Sequence, residues 1–231
     1  MGICAEVIQG KNFLTAYRIS KDNIYKREKI TSIPTEASIY QHAFSLNENY
    51  ITIFMHPVET NLLSQVMGKD MITSMEQKGD KNTIIHVIKL DGGDTKTFDT
   101  GRFFQMIHSG NSFQKEDNPD ILVADVTAYG DASKNVYEVF DFDGVENKEQ
   151  LKGKKYKGQW TRFEMNLKTG QLTEKKLIDL PEGGNYELPT FNEKYDGVKE
   201  NCFTYLLEFF GKQDITDDYG WDIVKYDACN E

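Results

Sequence analysis

The sequence is short of cysteine, proline, histidine and positive charge. Its 231 residues hold 3 cysteines, 5 prolines and 4 histidines, with 27 Lys+Arg against 37 Asp+Glu. Cys4, Cys202 and Cys229 are odd in number and form no CxxC pair, so neither a disulfide framework nor a zinc ribbon is indicated. We expect reduced, structural thiols. The net charge of −10 lacks the cationic surplus that displaces counterions from phosphates, which excludes nucleic acid as a partner. No run approaches the roughly 18–20 apolar residues needed to span a bilayer. The stretch Met1-Gly2-Ile3-Cys4-Ala5-Glu6 has no charged region ahead of an apolar one, and Glu6 stands where a myristoylation signal needs Ser or Thr. There is no HExxH, GxSxG, P-loop or GxGxxG. These absences lead to the expectation of a soluble, cytoplasmic, acidic chain long enough to bury its own core.

What the sequence does have is strands. Asn49–Met55, Asn82–Leu90, Ile121–Tyr129, Val136–Phe140, Cys202–Phe209 and Asp222–Tyr226 are rich in β-branched and aromatic residues. Arg162–Leu167 alternates, with Phe163, Met165 and Leu167 directed to a core and Arg162, Glu164 and Asn166 directed outward. Lys168-Thr169-Gly170 reads as a three-residue hairpin loop with glycine at the positive-φ position, and Gln171–Leu177 pairs back. Asp91-Gly92-Gly93 closes an earlier hairpin in the same way. About ten short strands with frequent turns and no βαβ alternation give an all-β fold class. Radially repeated propeller blades and a closed barrel both satisfy this pattern.

Asn61–Met75 breaks it. Leu63, Val66, Met67, Met71 and Met75 lie close to helical spacing, so a helix is expected there. It either packs on the β-domain or lies at the surface and dips an apolar face into a membrane or a ligand path. Leu62, Leu63, Val66 and Met67 are the candidates for such contact. The basic tract Lys152–Lys157 reads as a solvated loop. Asp141-Phe142-Asp143-Gly144 reads as an acidic turn, because the remaining ligands of a calcium loop are not at the required spacing.

Four histidines can be weighed one by one. His86 lies inside a strand and His56 just past one, before Pro57, and both read as structural. His42 and His108 read as lying immediately before strands, at chain reversals, where side chains of separate strands converge on the axis of a β-architecture. Two imidazoles meeting there suit a borderline metal such as Fe(II) or Zn(II). The carboxylates are too many and too scattered to nominate a general acid–base pair.

Local motifs carry the reading further. His42-Ala43-Phe44-Ser45-Leu46-Asn47-Glu48-Asn49-Tyr50 resembles the H-S-F-x-L-T-E-N-Y stretch of the carotenoid cleavage oxygenase family, which includes β-carotene oxygenases and the retinoid isomerase of the retinal pigment epithelium. His108-Ser109-Gly110-Asn111-Ser112-Phe113 is similar to its F-H-x-x-N-A motif, and Leu122-Val123-Ala124-Asp125-Val126 to the V-V-D-V strand that follows. Arg162–Gly170 resembles R-Y-x-L-x-L-x-T-G, and Glu187-Leu188-Pro189-Thr190-Phe191-Asn192 resembles E-F-P-x-I-N. The motifs occur in the family's order. Departures include Ile107 for Phe, Ser112 for Ala, Asn47 for Thr and Leu188 for Phe.

The resemblance implies a seven-bladed β-propeller with Fe(II) on its axis, held by four histidines backed by glutamates. By match, His42 and His108 would be iron ligands and Glu187 a supporting carboxylate; the histidine it supports is left open. The implied reaction is cleavage of a carotenoid, apocarotenoid or other retinoid-type polyene by O2, and it needs no acid–base residue of its own. No other histidine matches a ligand motif. The expectation is therefore the central portion of a longer enzyme, truncated at both ends, with about half of the blades. The alternative is a non-catalytic propeller fragment or binding module. The family relation also favours peripheral membrane contact by the Asn61–Met75 segment.

Overall fold

The computed structural model describes residues 1–130, 136, 157–180, 184–210 and 220–230. All but the first residue of the strand expected at Val136–Phe140, the Asp141–Gly144 turn and most of the Lys152–Lys157 tract lie outside the described residues. The architecture is a succession of antiparallel meanders. Strands β1 (Gly2–Ile8), β2 (Lys11–Ile19) and β3 (Arg27–Thr35) form a first sheet. The second contains β4 (Ser45–Leu46), β5 (Tyr50–Met55), β8 (Ile84–Lys89) and β9 (Lys96–Asp99). The third contains β10 (Gln105–Gln114), β11 (Ile121–Tyr129), β12 (Gly158–Asn166) and β13 (Leu172–Lys176). The fourth contains β14 (Gly184–Phe191), β15 (Phe203–Phe210) and β16 (Gly220–Asp227). A small ribbon, β6 (Val58–Thr60) with β7 (Met75–Gln77), brackets the short helix α1 (Leu62–Val66).

Turn chemistry sets the hairpins. Gln9 and Gly10 both take positive φ (50° and 76°), the geometry of a two-residue turn whose twist matches its strands. Gly170 has φ 77° as its loop requires, and the side chain of Asn166 accepts from the backbone N–H of Lys168 and Thr169.

Successive sheets bury their facing sides against one another. Leu14, Ala16 and Ile33 of the first sheet meet Ile51, Ile53 and Ile88 of the second. On the other side of the second sheet, Phe54, Ile85, Val87 and Phe98 meet Met106, Leu122, Ala124, Phe163 and Met165 of the third. Phe163 is the hub there, stacked on Phe104 and tilted against Phe54, each at 5.3 Å between ring centroids. Trp160 and Leu177 then meet Tyr186, Leu206 and Tyr226 of the fourth sheet. This sheet-on-sheet succession bears out the all-β class and selects blades over a barrel, because no sheet closes on itself among the described residues.

Three expectations need correction. Cys202 and Cys229 form a disulfide, with Cα atoms 5.0 Å apart. The β15–β16 hairpin aligns Phe203 with Asp227 and so brings the two thiols, 27 residues apart, to its open end; only Cys4 is a free thiol. The helix expected over Asn61–Met75 is only Leu62–Val66: Gly68 at φ 93° ends it, and Met75 already belongs to β7. Arg162 does not point to solvent. It is paired across the strands with Asp125, which is almost fully buried, and it also reaches Glu200. Burial pushes the Asp125 carboxyl up from its ordinary range, while the hydrogen bonds and charge of Arg162 oppose the shift. No helix among the described residues is long and apolar enough to cross a membrane.

Because Phe163 is fully buried between two sheets, Phe163→Ala should cost about 3–5 kcal/mol in urea unfolding. A loss below about 1 kcal/mol, the range of an exposed substitution, would contradict this packing.

Candidate functional site

The opening strands of the second, third and fourth sheets, β4, β10 and β14, lie side by side. Residues on or just before them therefore meet at one end of the stack of sheets. His42 lies three residues before β4, His108 sits within β10, and Glu187 sits within β14. The expectation that His108 precedes its strand is thus corrected: it lies inside β10, between Met106 and Ser109, where the register slips against β11. Such an irregularity inserts an unpaired residue and re-aims its side chain.

Glu187 sits at a matching irregularity, between Glu187 and Thr190 against β15. The next residue, Leu188, has φ 50°, uncommon for a residue with a side chain and costing on the order of 1–3 kcal/mol. The surrounding bonds hold this conformation. Glu187 Oε2 lies 2.7 Å from His108 Nδ1 and also accepts from the Leu188 backbone N–H at 3.0 Å. Its Oε1 accepts from the Tyr129 hydroxyl of β11 at 2.6 Å. The question left open by sequence is answered: Glu187 backs His108.

The His42 and His108 rings meet edge to face, with centroids 5.4 Å apart. His42 Nδ1 lies 3.0 Å from the Tyr40 hydroxyl. Partial burial pulls the His42 imidazole below its ordinary pKa, and a charged His108 beside it would act in the same direction, while Glu187 opposes both. An apolar cluster borders the pair: Ile107, Tyr129 and Val136 are buried, and Tyr40, Ile72 and Met75 pack against them.

His56 and His86 take structural places. Burial lowers both to about 4, so both imidazoles are neutral near neutrality. His56 is fully buried beside the backbone of Phe54 and Tyr40. His86 lies on the third strand of its sheet, with Nδ1 3.3 Å from the Thr97 hydroxyl.

Two supporting residues stand out only in the structure. Asn111, three residues past His108, is buried and uses its whole amide: it donates to Lys199 O and Asn201 Oδ1 and accepts from Gly197 N–H. It thereby fastens the loop that leads from β14 to β15. Gly110 has the Trp160 indole so close that an added Cβ would lie 2.6 Å from it. A glycine inside a strand is the signal that could have flagged this close approach.

The donor chemistry fits a borderline divalent metal in part. A carboxylate only accepts, so the proton of neutral His108 sits on Nδ1 and its Nε2 lone pair is free to ligate. Among the described residues, however, no group of three or more His, Cys, Asp or Glu side chains could hold a metal. The arrangement supplies two imidazole donors.

Residues 1–231 match the family described as retinal pigment epithelial membrane protein (RPE65), and the chain belongs to that family. The fold resembles cobalt-substituted apocarotenoid oxygenase (ACO) of Synechocystis, with a TM-score of 0.69 and 15% identity. It also resembles an ACO/RPE65 chimera, with a TM-score of 0.66 and 15% identity. Each likeness covers 97% of this chain and 43% of the other, so the chain spans less than half the length of these proteins.

The two neutral histidines make a pH prediction. In the unfolded chain His56 and His86 protonate near their ordinary value of about 6.5, whereas in the folded chain they resist until about 4. The unfolded state therefore binds more protons in this window, and these residues lower stability as pH falls from about 6.5 to about 4. The urea midpoint should drop between about pH 7 and pH 5, and His86→Leu should shrink that drop. A midpoint that stays level in the parent chain would contradict the assignment.

Proposed function

We propose that this chain is the central portion of a non-haem Fe(II) oxygenase that cleaves a polyene double bond of a carotenoid or apocarotenoid. His42 and His108 would be two of the iron ligands, and Glu187 the carboxylate that fixes His108. The observation that carries this reading is the 2.7 Å Glu187–His108 bond beside the edge-to-face histidine pair. A carboxylate behind an imidazole sets its tautomer and ring orientation and raises its basicity, the arrangement a metal-ligating histidine needs. The Synechocystis relative in which cobalt has been substituted supports a protein of this fold that takes a metal.

Ferrous iron, when bound, supplies the redox chemistry by which O2 reacts with an alkene. The overall reaction balances simply: the C=C bond breaks and each carbon takes one oxygen atom of O2 as an aldehyde carbonyl. The chain's own contribution is to place imidazole donors and to set apolar surface beside them. Ile107, Tyr129, Val136 and Met75 form a wall that suits a hydrocarbon chain and sheds water. On this reading the remaining ligands come from sequence outside these 231 residues.

A second group of apolar side chains lies at the surface. Ile72 and Met75 belong to the wall, and on the other side of the Asp70–Ser74 turn Leu63, Val66 and Met67 of the α1 segment are 70%, 84% and 79% exposed, with Leu62 beside them. Clustered exposed apolar side chains favour an apolar partner. We read them as a peripheral membrane contact of a cytoplasmic protein, where a lipid-dissolved substrate is collected. Wild-type chain should co-float with phospholipid vesicles, and a Leu63→Asp, Met67→Asp variant should float much less. Equal flotation would count against this contact.

The two-donor arrangement among the described residues is the observation that favours the second reading, a propeller module without catalysis. Anaerobic titration with Fe(II) separates the two. We expect weak binding by this polypeptide, lost in His108→Ala and retained in His86→Ala. Binding that survives His108→Ala, or a complete absence of binding, would overturn the ligand assignment.

A further inference from the structure

The last residues of the β14–β15 loop form a strap with a polar fastening at one end and a covalent one at the other. Asn111 of β10 donates to Lys199 O and Asn201 Oδ1, each at 2.8 Å, and accepts from Gly197 N–H at 3.0 Å. Glu200 pairs with Arg162 of β12, and Gly197 O accepts from Glu48 N–H at 3.2 Å. Asn201 is buried and also faces forward along the chain, donating through Nδ2 to Phe203 O at 3.0 Å and Thr204 Oγ1 at 2.9 Å. The residue between, Cys202, is half of the disulfide to Cys229. The covalent bond thus stands one residue from the side chain that meets Asn111, and Asn111 stands three residues from His108 in the same strand.

This disulfide can be opened without loss of the hairpin that carries it. Cys229 is exposed and Cys202 half-buried, so the pair lies within reach of an outside thiol. β15 and β16 are in register from the Phe203–Asp227 pair onward, and Ala228 N–H donates to Cys202 O at 2.7 Å. Leu206 and Tyr226 anchor the hairpin against Trp160. None of these contacts uses a sulfur. With the disulfide open, the Ala228–Cys202 bond becomes the last tie at an open end, and such ends fray. Fraying at Cys202 draws Asn201 away from Asn111. The retained register keeps the two thiols facing each other, so closing the bond again is an intramolecular step.

We infer that the Cys202–Cys229 disulfide is a redox-sensitive clip that sets how firmly the β14–β15 loop is held to Asn111 and the His108-bearing strand. Its reductant is a dithiol. One thiolate of the dithiol attacks Cys229 Sγ, the S–S bond breaks, and Cys202 leaves as a thiolate that takes up a proton. The second thiol of the dithiol then displaces Cys229, which is likewise released as a thiol. Two electrons and two protons pass to the chain, whose disulfide becomes two thiols while the dithiol becomes a disulfide. Exposed disulfides are the labile, switchable ones. The inference concerns the loop and stands whether or not the histidines ligate a metal.

The experiment follows amide hydrogen exchange in the 231-residue chain before and after dithiothreitol. Iodoacetamide in denaturant should label one cysteine, Cys4, before reduction and all three after it. Reduction should speed exchange about tenfold at Gly197 N–H and Glu48 N–H, while β11 and β12 keep their protection. Removal of the reductant in air should restore the slow rates. A Cys202→Ser, Cys229→Ser variant should exchange like the reduced chain without any reductant, and the parent chain alone decides the matter if that variant does not fold. In Asn201→Ala, which removes the link from the clip to Asn111, reduction should add little at Gly197. Three labelled cysteines before reduction, or faster exchange confined to Cys202 and Ala228, would overturn the inference. Equal loss of protection in β11 and β12 would make the bond a support of the whole fold and overturn it too.

Discussion

The hydrogen bond between Glu187 and His108 joins two sheets and fixes the chemistry at their meeting point. It requires β10 and β14 to lie side by side, both strands to depart from regular register at that level, and Leu188 to accept a positive φ. None of these is favourable alone. They persist because the flanking sheets are locked by their own cores, Phe163 with Phe54 and Phe104 on one side and Trp160 with Tyr186 and Leu206 on the other. The rigid stack supplies the stability that this strained backbone requires.

The loop between β14 and β15 adds a second level of control. Asn111 holds it from β10, and Gly197 presses its backbone against Asn47 and Glu48 at the β4 turn. At Gly197 an added Cβ would lie 2.9 Å from the Asn47 Cα, and the φ of 69° is one that glycine alone adopts without strain. One loop thus links the second, third and fourth sheets next to the histidines. The two histidine-bearing segments are held relative to each other by polar contacts as well as by the apolar layers between sheets.

Much of this was legible in the sequence, for physical reasons. Strand periodicity, as in Phe163, Met165 and Leu167, is imposed by a two-sided sheet, and the Gly170 loop by its need for positive φ. The motifs singled out His42, His108 and Glu187, but not that Glu187 meets His108, because that contact depends on bulges with no sequence signature. Arg162 read as outward because alternation cannot distinguish solvent from a buried partner, here Asp125. The Cys202–Cys229 pair was missed because an odd count and wide spacing carry no register, whereas the β15–β16 hairpin does. The helical spacing of Asn61–Met75 was cut short at Gly68, where local backbone geometry overrides periodicity.

On the proposed function, His42 and His108 together donate to one metal ion. X-ray absorption at the cobalt edge of the Co(II)-loaded chain is the decisive measurement. Two imidazole nitrogens are expected at about 2.0–2.1 Å with oxygen from solvent completing the shell, and one imidazole fewer in His42→Ala. A cobalt shell of oxygen alone, or one unchanged by His42→Ala, would contradict it.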